Sequence, residues 1–318
     1  MRGRTSSIRP VRVAVVDIGS NSTRLLIAEV DPVRATVNER VRRSQVTRLG
    51  DGVDSAGTLS EEAVGRVLSV LGEYRTLIDA EACTANMAVL TSAVRDASNG
   101  ELFAGRVRED YGLDAHVLSG EEEAQLTFLG AMAGRAAPTQ ATVVIDIGGG
   151  STEFVVGVGR TAGFHTSLAA GVVRMSERHI TSDPPNPEDL QNLSSDVRDT
   201  FRDGLPAAER APVQQGIAVA GTATSAASIE LELDPYDPLR VHGHILQLGT
   251  IELLLARLAD MTETERREVV GLNPDRAPTI VAGMVLLSEA LSAFELEQVE
   301  VSEHDILYGG ALRLAGLG

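Results

Sequence analysis

Asp17 and Asp146 each end an apolar, β-branched run, and each is followed by a turn of small residues. The segments VVDIGSNSTRLLIAEV (Val15–Val30) and VIDIGGGSTEFVVGVG (Val144–Gly159) align without a gap. Val15/Val144, Asp17/Asp146, Ile18/Ile147, Gly19/Gly148, Ser22/Ser151 and Thr23/Thr152 are identical. Phosphate binding is the chemistry such a unit suits. Gly148, Gly149 and Gly150 permit backbone angles closed to other residues, so successive N–H groups can converge on phosphate oxygens. Ser20, Asn21, Ser22, Ser151 and Thr152 add side-chain donors. An aspartate at a strand end can hold Mg²⁺ directly or through water, which makes Asp17 and Asp146 metal candidates. No lysine follows the glycines, and a second apolar run follows where a helix would be needed. A Walker A loop and a dinucleotide fingerprint are thereby excluded.

These turns need strands to hold them. Val11–Val16 and Thr142–Ile145 read as strands. Leu25–Val30 and Phe154–Val158 follow too closely for a crossover, so each pair predicts an antiparallel hairpin. Two such units suggest two lobes closing on one anionic ligand. In the first lobe, Val41–Leu49 reads as a strand, and Ser60 caps a helix with Glu61 and Glu62 in its first turn. Met87–Leu90 is a strand feeding the TSAVRDASN loop, Leu102–Tyr111 is helical and His116–Leu118 is a short strand. In the second, a helix runs from Val173, Asn186-Pro187-Glu188 starts another, and Ile217–Ala220 is a strand before a third small-residue loop of Gly221, Thr222 and Thr224. Thr262 and Glu265 fit a capping box, a helix begins near Pro278, and Val299–Val301 and Asp305–Ala315 are the last strand and helix.

Ser119–Met132 (SGEEEAQLTFLGAM) reads as a helix with its acidic cluster at the N-terminus. Ser119 at the N-cap puts Glu122 at the capping-box position. Arg95, beside small polar residues, could grip phosphate oxygens in a forked geometry, or pair with Asp96. His242 and His244 lack a Cys or carboxylate to complete a zinc-like pattern and read as structural or surface residues.

The chain has 318 residues, 43% apolar and 3% aromatic, with no tryptophan, so two domains packed on Val, Leu, Ile and Ala are expected. One cysteine, Cys83, rules out an internal disulfide and points to a reducing, cytoplasmic setting. No apolar run is long enough for a membrane span, and the basic MRGRTSSIRPVR start lacks the apolar core of a secretory signal and reads as a short tail. The net charge of −17 argues against nucleic acid as a partner. It also opposes long polyanions, so any attraction for phosphate must be local.

DIGSNSTR and DIGGGSTEF resemble the two phosphate loops of the actin-like ATPase superfamily. Together with SGEEEA, TSAVRDASN and VAGTATS (Val219–Ser225), they resemble the exopolyphosphatase / guanosine pentaphosphate phosphohydrolase family over nearly the whole chain. The resemblance implies an α/β fold of two actin-like (ribonuclease H-like) domains with an interdomain cleft. Domain I is expected over 1–118 plus a C-terminal helix over 303–318, and domain II over 119–302. The implied activity is Mg²⁺- or Mn²⁺-dependent release of terminal phosphate from inorganic polyphosphate, with guanosine pentaphosphate hydrolysis or non-catalytic polyphosphate or alarmone sensing as alternatives. By the same resemblance Glu123 is the general base, with Glu122 as second choice. Glu153 holds metal or water, Arg95 faces the substrate, and Gly221 and Thr222 meet distal phosphates. Arg24 is a further phosphate candidate. Larger family members carry extra domains, so short polyphosphate is the expected substrate. A homodimer is also implied.

Overall fold

In β1 (Val11–Ile18), alternate residues enter different cores, which is why the strand is apolar apart from Arg12 and Asp17. The computed structural model describes residues 10–135 and 139–317. The tail predicted at the start lies, up to residue 9, outside the described residues. The chain divides into two units, Met1–Ala136 with Ile306–Gly318, and Ala137–Asp305.

The first unit holds β1, β2 (Ser22–Asp31), β3 (Thr36–Val46), β4 (Ala85–Leu90) and β5 (Ala115–Val117) in the order β3-β2-β1-β4-β5. β1 to β3 pair antiparallel, while β4 and β5 run parallel to β1. Ala14, Val16 and Ile18 join a core with the helices Glu61–Ala80 and Gly100–Tyr111. Val13 and Val15 face Leu129, Leu307, Ala311 and Leu312. Ser60 caps the first of these helices as expected, its hydroxyl accepting from the Ala63 N–H. The Tyr74 hydroxyl donates to the Thr23 carbonyl at 2.9 Å, tying that helix to β2.

The second unit contains β6 (Ala141–Ile147), β7 (Thr152–Val158), β8 (Thr161–Leu168), β9 (Val213–Val219), β10 (Ile245–Gln247) and β11 (Gln298–Val301), ordered β10-β11-β9-β6-β7-β8. Its β8-β7-β6-β9-β11 run repeats the first sheet's plan, with the same antiparallel and parallel pairings. Val143, Ile145 and Phe154 pack on the helices Pro187–Gly204, Leu248–Ala259 and Ile280–Ala293. Phe154 meets Phe201 edge-on at 5.0 Å. The mixed α/β fold with two sheets of one plan is the one expected.

Three expectations shift. The helix Gly120–Ala131 packs with the helix Ile306–Leu314: a Cβ on Gly309 would stand 1.9 Å from the Leu126 carbonyl oxygen. The first unit therefore runs past the expected boundary at 118/119, and residues 303–305 fall in the second unit. The strand placed at Val41–Leu49 starts at Thr36 and stops at Val46, because Thr47–Gly50 turn back onto the first small-residue turn. β8, with no expected counterpart, completes the second three-stranded meander. Its alternation of half-buried and exposed residues carries little apolar signal.

Candidate active site

Both hairpins form, and their turns are closed by the same bond. Gly19 N–H donates to the Ser22 carbonyl at 3.0 Å and Gly148 N–H to the Ser151 carbonyl at 2.9 Å. The Gly148 N–H, expected to bind phosphate, is thus used inside the turn.

In the second turn the carbonyl side is held. Val172 N–H donates to the Gly148 carbonyl at 2.9 Å, and Val173 and Arg174 N–H to the Gly149 carbonyl at 2.9 and 3.2 Å. Arg174 Nε donates to the Gly150 carbonyl at 2.9 Å. A planar trans peptide points the N–H of one residue opposite the carbonyl of the residue before it. Pinning these three carbonyls to the start of the helix Val172–His179 therefore aims the N–H groups of Gly149, Gly150 and Ser151 away from that helix, on one side of the turn. Three successive donors in such an array suit an anion. The first turn is held alike by a loop: Gly50 N–H donates to the Ser20 carbonyl at 2.8 Å, and Thr47 and Arg48 N–H to that of Asn21 at 3.0 and 2.9 Å.

The glycines differ from their expected use. None of Gly148, Gly149 and Gly150 adopts a positive φ. A Cβ on Gly149 would lie 3.6 Å from Val173 Cγ2, and one on Gly150 3.9 Å from Arg174 Nη2, both ordinary contacts. Neither backbone angles nor the surrounding chain demand glycine there, and the bare backbone leaves room for a ligand to approach. Gly171 is the position that does demand it, since its Cβ would fall 2.4 Å from the Gly149 carbonyl oxygen and the Ser151 nitrogen. Sequence reasoning missed Gly171 and Arg174. Nothing in AAGVVRM says which backbone its glycine approaches.

The acidic cluster resolves into two roles. Ser119 and Glu122 form a complete capping box, with Glu122 Oε2 accepting from both the Ser119 N–H and hydroxyl at 2.9 Å. Those bonds, the backbone one first, hold the Glu122 carboxyl below its ordinary value. Glu123 Oε2 instead accepts from Arg95 Nη1 at 2.9 Å. Arg95 sits on a short helix, Ser92–Asp96, inside the expected TSAVRDASN loop, and also donates to the Leu118 carbonyl at 3.0 Å. Asp96 is farther from it, at 3.8 Å. Arg95 therefore orients Glu123 at the start of its helix. Ser92 of the same short helix meets the first turn, its hydroxyl 3.1 Å from that of Ser20.

The two strand-end aspartates have diverged. Asp17, 4% exposed, pairs with Arg24 through Nε and Nη2 at 2.8 and 2.6 Å, both on Oδ2. Asp17 is thus held in an ion pair, and Arg24 is its partner. Asp146 lies opposite Glu153 in the hairpin register, so two carboxylates share the turn end of the second hairpin. Glu153 Oε1 accepts from Ser151 and Ser167 hydroxyls at 2.5 and 2.7 Å. Among the described residues, no group of three or more His, Cys, Asp or Glu is gathered as a metal site. The donor set fits a hard divalent cation that takes one or two carboxylates and completes its shell with water and substrate phosphate.

The third expected loop is a helix start. β9 passes straight into the helix Ala220–Glu230. The Arg276 guanidinium lies against Gly221, its Nη1 1.3 Å from where a Cβ would be. The Thr222 side chain is buried, and a Cβ on Gly283 would meet its Cγ2 at 2.9 Å. His242 stacks on His304 at 4.0 Å and His244 Nε2 lies 2.6 Å from Glu230, in keeping with structural or surface roles.

The chain resembles several known proteins over nearly its whole length. Exopolyphosphatase 2 of Mycobacterium tuberculosis is 33% identical over 316 residues, covering 96% of this chain and 99% of that protein. The crystal structure of the Aquifex aeolicus member of the Ppx/GppA family is 32% identical, with a TM-score of 0.85 over 96% of this chain and 97% of that one. An exopolyphosphatase from Cytophaga hutchinsonii is 27% identical, with a TM-score of 0.80 over 96% and 99% of the two chains. Residues 26–313, which carry the second hairpin turn and the Arg95–Glu123 pair, match the Ppx/GppA phosphatase family, and to that family the chain belongs.

Proposed function

We propose that this chain is an exopolyphosphatase that releases the terminal phosphate of short inorganic polyphosphate by in-line attack of water. The observation that carries this reading is the second turn, whose carbonyls are pinned so that the Gly149, Gly150 and Ser151 N–H groups form an anion-binding array. The relatives named exopolyphosphatase support the substrate class.

Glu123 is the general base. Glu122 is committed to its cap, whereas Glu123 lies outside that cap and is held by the Arg95 guanidinium. Its task is to take a proton from the attacking water. The rest of phosphoryl transfer is positioning and charge stabilisation, which the N–H array performs on the phosphate oxygens. Asp146 and Glu153 would hold Mg²⁺ or Mn²⁺, which supplies neutralising charge to the phosphates when bound. The net charge of −17 disfavours long chains.

Phosphate release from short polyphosphate, long polyphosphate and guanosine pentaphosphate, measured side by side with Mg²⁺ present, tests the proposal. Fastest turnover on short polyphosphate is expected. Release from none of the three refutes it, and preference for guanosine pentaphosphate replaces the substrate while leaving the chemistry.

A further inference from the structure

We infer that Arg174 is the positioning residue of the second phosphate turn, coupling the N–H array to the Glu153 carboxylate; this rests on the phosphate-binding reading above. The link runs through one peptide. Arg174 Nε holds the Gly150 carbonyl at 2.9 Å, and the other end of that peptide is the Ser151 N–H. Ser151 then donates its hydroxyl to Glu153 Oε1 at 2.5 Å. One guanidinium thus bears on the direction of the last array donor and, through Ser151 beside the Ser167 hydroxyl, on the placement of a metal-holding carboxylate.

Arg174 is suited to this because its own backbone is anchored in the same turn. Its N–H donates to the Gly149 carbonyl at 3.2 Å, so side chain and main chain of one residue grip successive carbonyls. The grip starts from Gly171, which lets the helix Val172–His179 begin in contact with the turn backbone. A lysine at this position keeps the charge but has no Nε–H at that reach, so Arg and Lys separate clamping from charge.

The full chain, ¹⁵N-labelled, should be titrated with tripolyphosphate as wild type, Arg174→Gln and Arg174→Lys. The amide resonances of Gly149, Gly150 and Ser151 report binding. In the wild type all three should shift. Arg174→Gln should weaken tripolyphosphate binding about tenfold and raise the Mg²⁺ needed for half-maximal turnover, and Arg174→Lys should recover little of either. A folded Arg174→Gln that binds within about twofold of wild type overturns the inference and leaves the phosphate reading standing. If circular dichroism shows Arg174→Gln unfolded, Arg174→Lys decides, and wild-type affinity in it also overturns the clamp. Amides that stay unmoved in the wild type itself, with no phosphate released, overturn the phosphate reading and this inference with it.

Discussion

Asp146 and Glu153 stand directly across from each other on β6 and β7, at the positions that Asp17 and Arg24 occupy on β1 and β2. One copy of the duplicated hairpin has closed its strand-end aspartate with an ion pair, at 2.6 Å. The other has placed a second carboxylate there. Like charges directly opposite in a sheet are destabilising, so the second carboxylate works against the stability of that copy.

Glu153→Gln should therefore raise stability without metal by up to about 1 kcal/mol, because it removes that repulsion. It should also lower turnover and flatten its dependence on Mg²⁺. Thermal unfolding with and without Mg²⁺, alongside phosphate release, checks both. Lower stability together with unchanged metal dependence would assign Glu153 to the fold alone.

Glu122 and Glu123 should separate cleanly. Glu122→Ala loses half of the capping box and should cost about 1 kcal/mol of stability with turnover little changed. Glu123→Gln should retain stability and lose at least about 100-fold in kcat. The cap also has a pH signature. The folded Glu122 carboxyl sits below its ordinary value because of the Ser119 bonds. Its stabilisation is complete above the ordinary carboxylate range and disappears as pH falls through the lower folded value. The stability gap between wild type and Ser119→Ala should narrow in that acid window. A gap independent of pH would contradict the assignment.

The glycines near the second turn should divide by cause. Gly149→Ala and Gly150→Ala meet ordinary contacts at negative φ, so stability should hold or rise by about 0.4–1 kcal/mol while phosphate affinity falls. Gly171→Ala drives a methyl into the turn backbone at 2.4 Å and should destabilise by about 1–3 kcal/mol. Chemical denaturation and tripolyphosphate titration read the two effects independently. Unaltered phosphate affinity in both Gly149→Ala and Gly150→Ala would remove the ligand as the reason for glycine there.

Gly309→Ala should weaken the first unit by about 1–3 kcal/mol, because its methyl would fall 1.9 Å from the Leu126 carbonyl oxygen. The helix carrying Glu123 would be displaced, so kcat should drop although Gly309 has no polar side chain. A wild-type melting temperature would show that this helix pair can spread at little cost.

The sequence made the repeated hairpins, the two sheets and the capping box legible because each is a local pattern: β-branched runs around a small-residue turn, and Ser119 three residues ahead of Glu122. What held the turns in place was not legible. Thr47–Gly50 and Gly171–Arg174 reach them only after β3 and β8 have returned across the sheet, and no periodicity reports where a strand's far end arrives. The Gly221–Thr224 segment read as a loop because small residues carry little helical signal, yet burial of Thr222 against the helix Ile280–Ala293 makes it a helix start. The partner of Arg95 was likewise invisible, since the choice between Asp96 and Glu123 rests on distance alone.

β8 bears no group assigned to the reaction except Ser167, which touches Glu153, yet it measures the distance from the glycine turn to the helix that grips it. Its outward side chains are at liberty to drift. Its length is not, because adding or removing a single residue would swing Gly171 and Arg174 out of step with the backbone they seize. A strand of unremarkable composition thereby serves as the ruler for a site it barely enters.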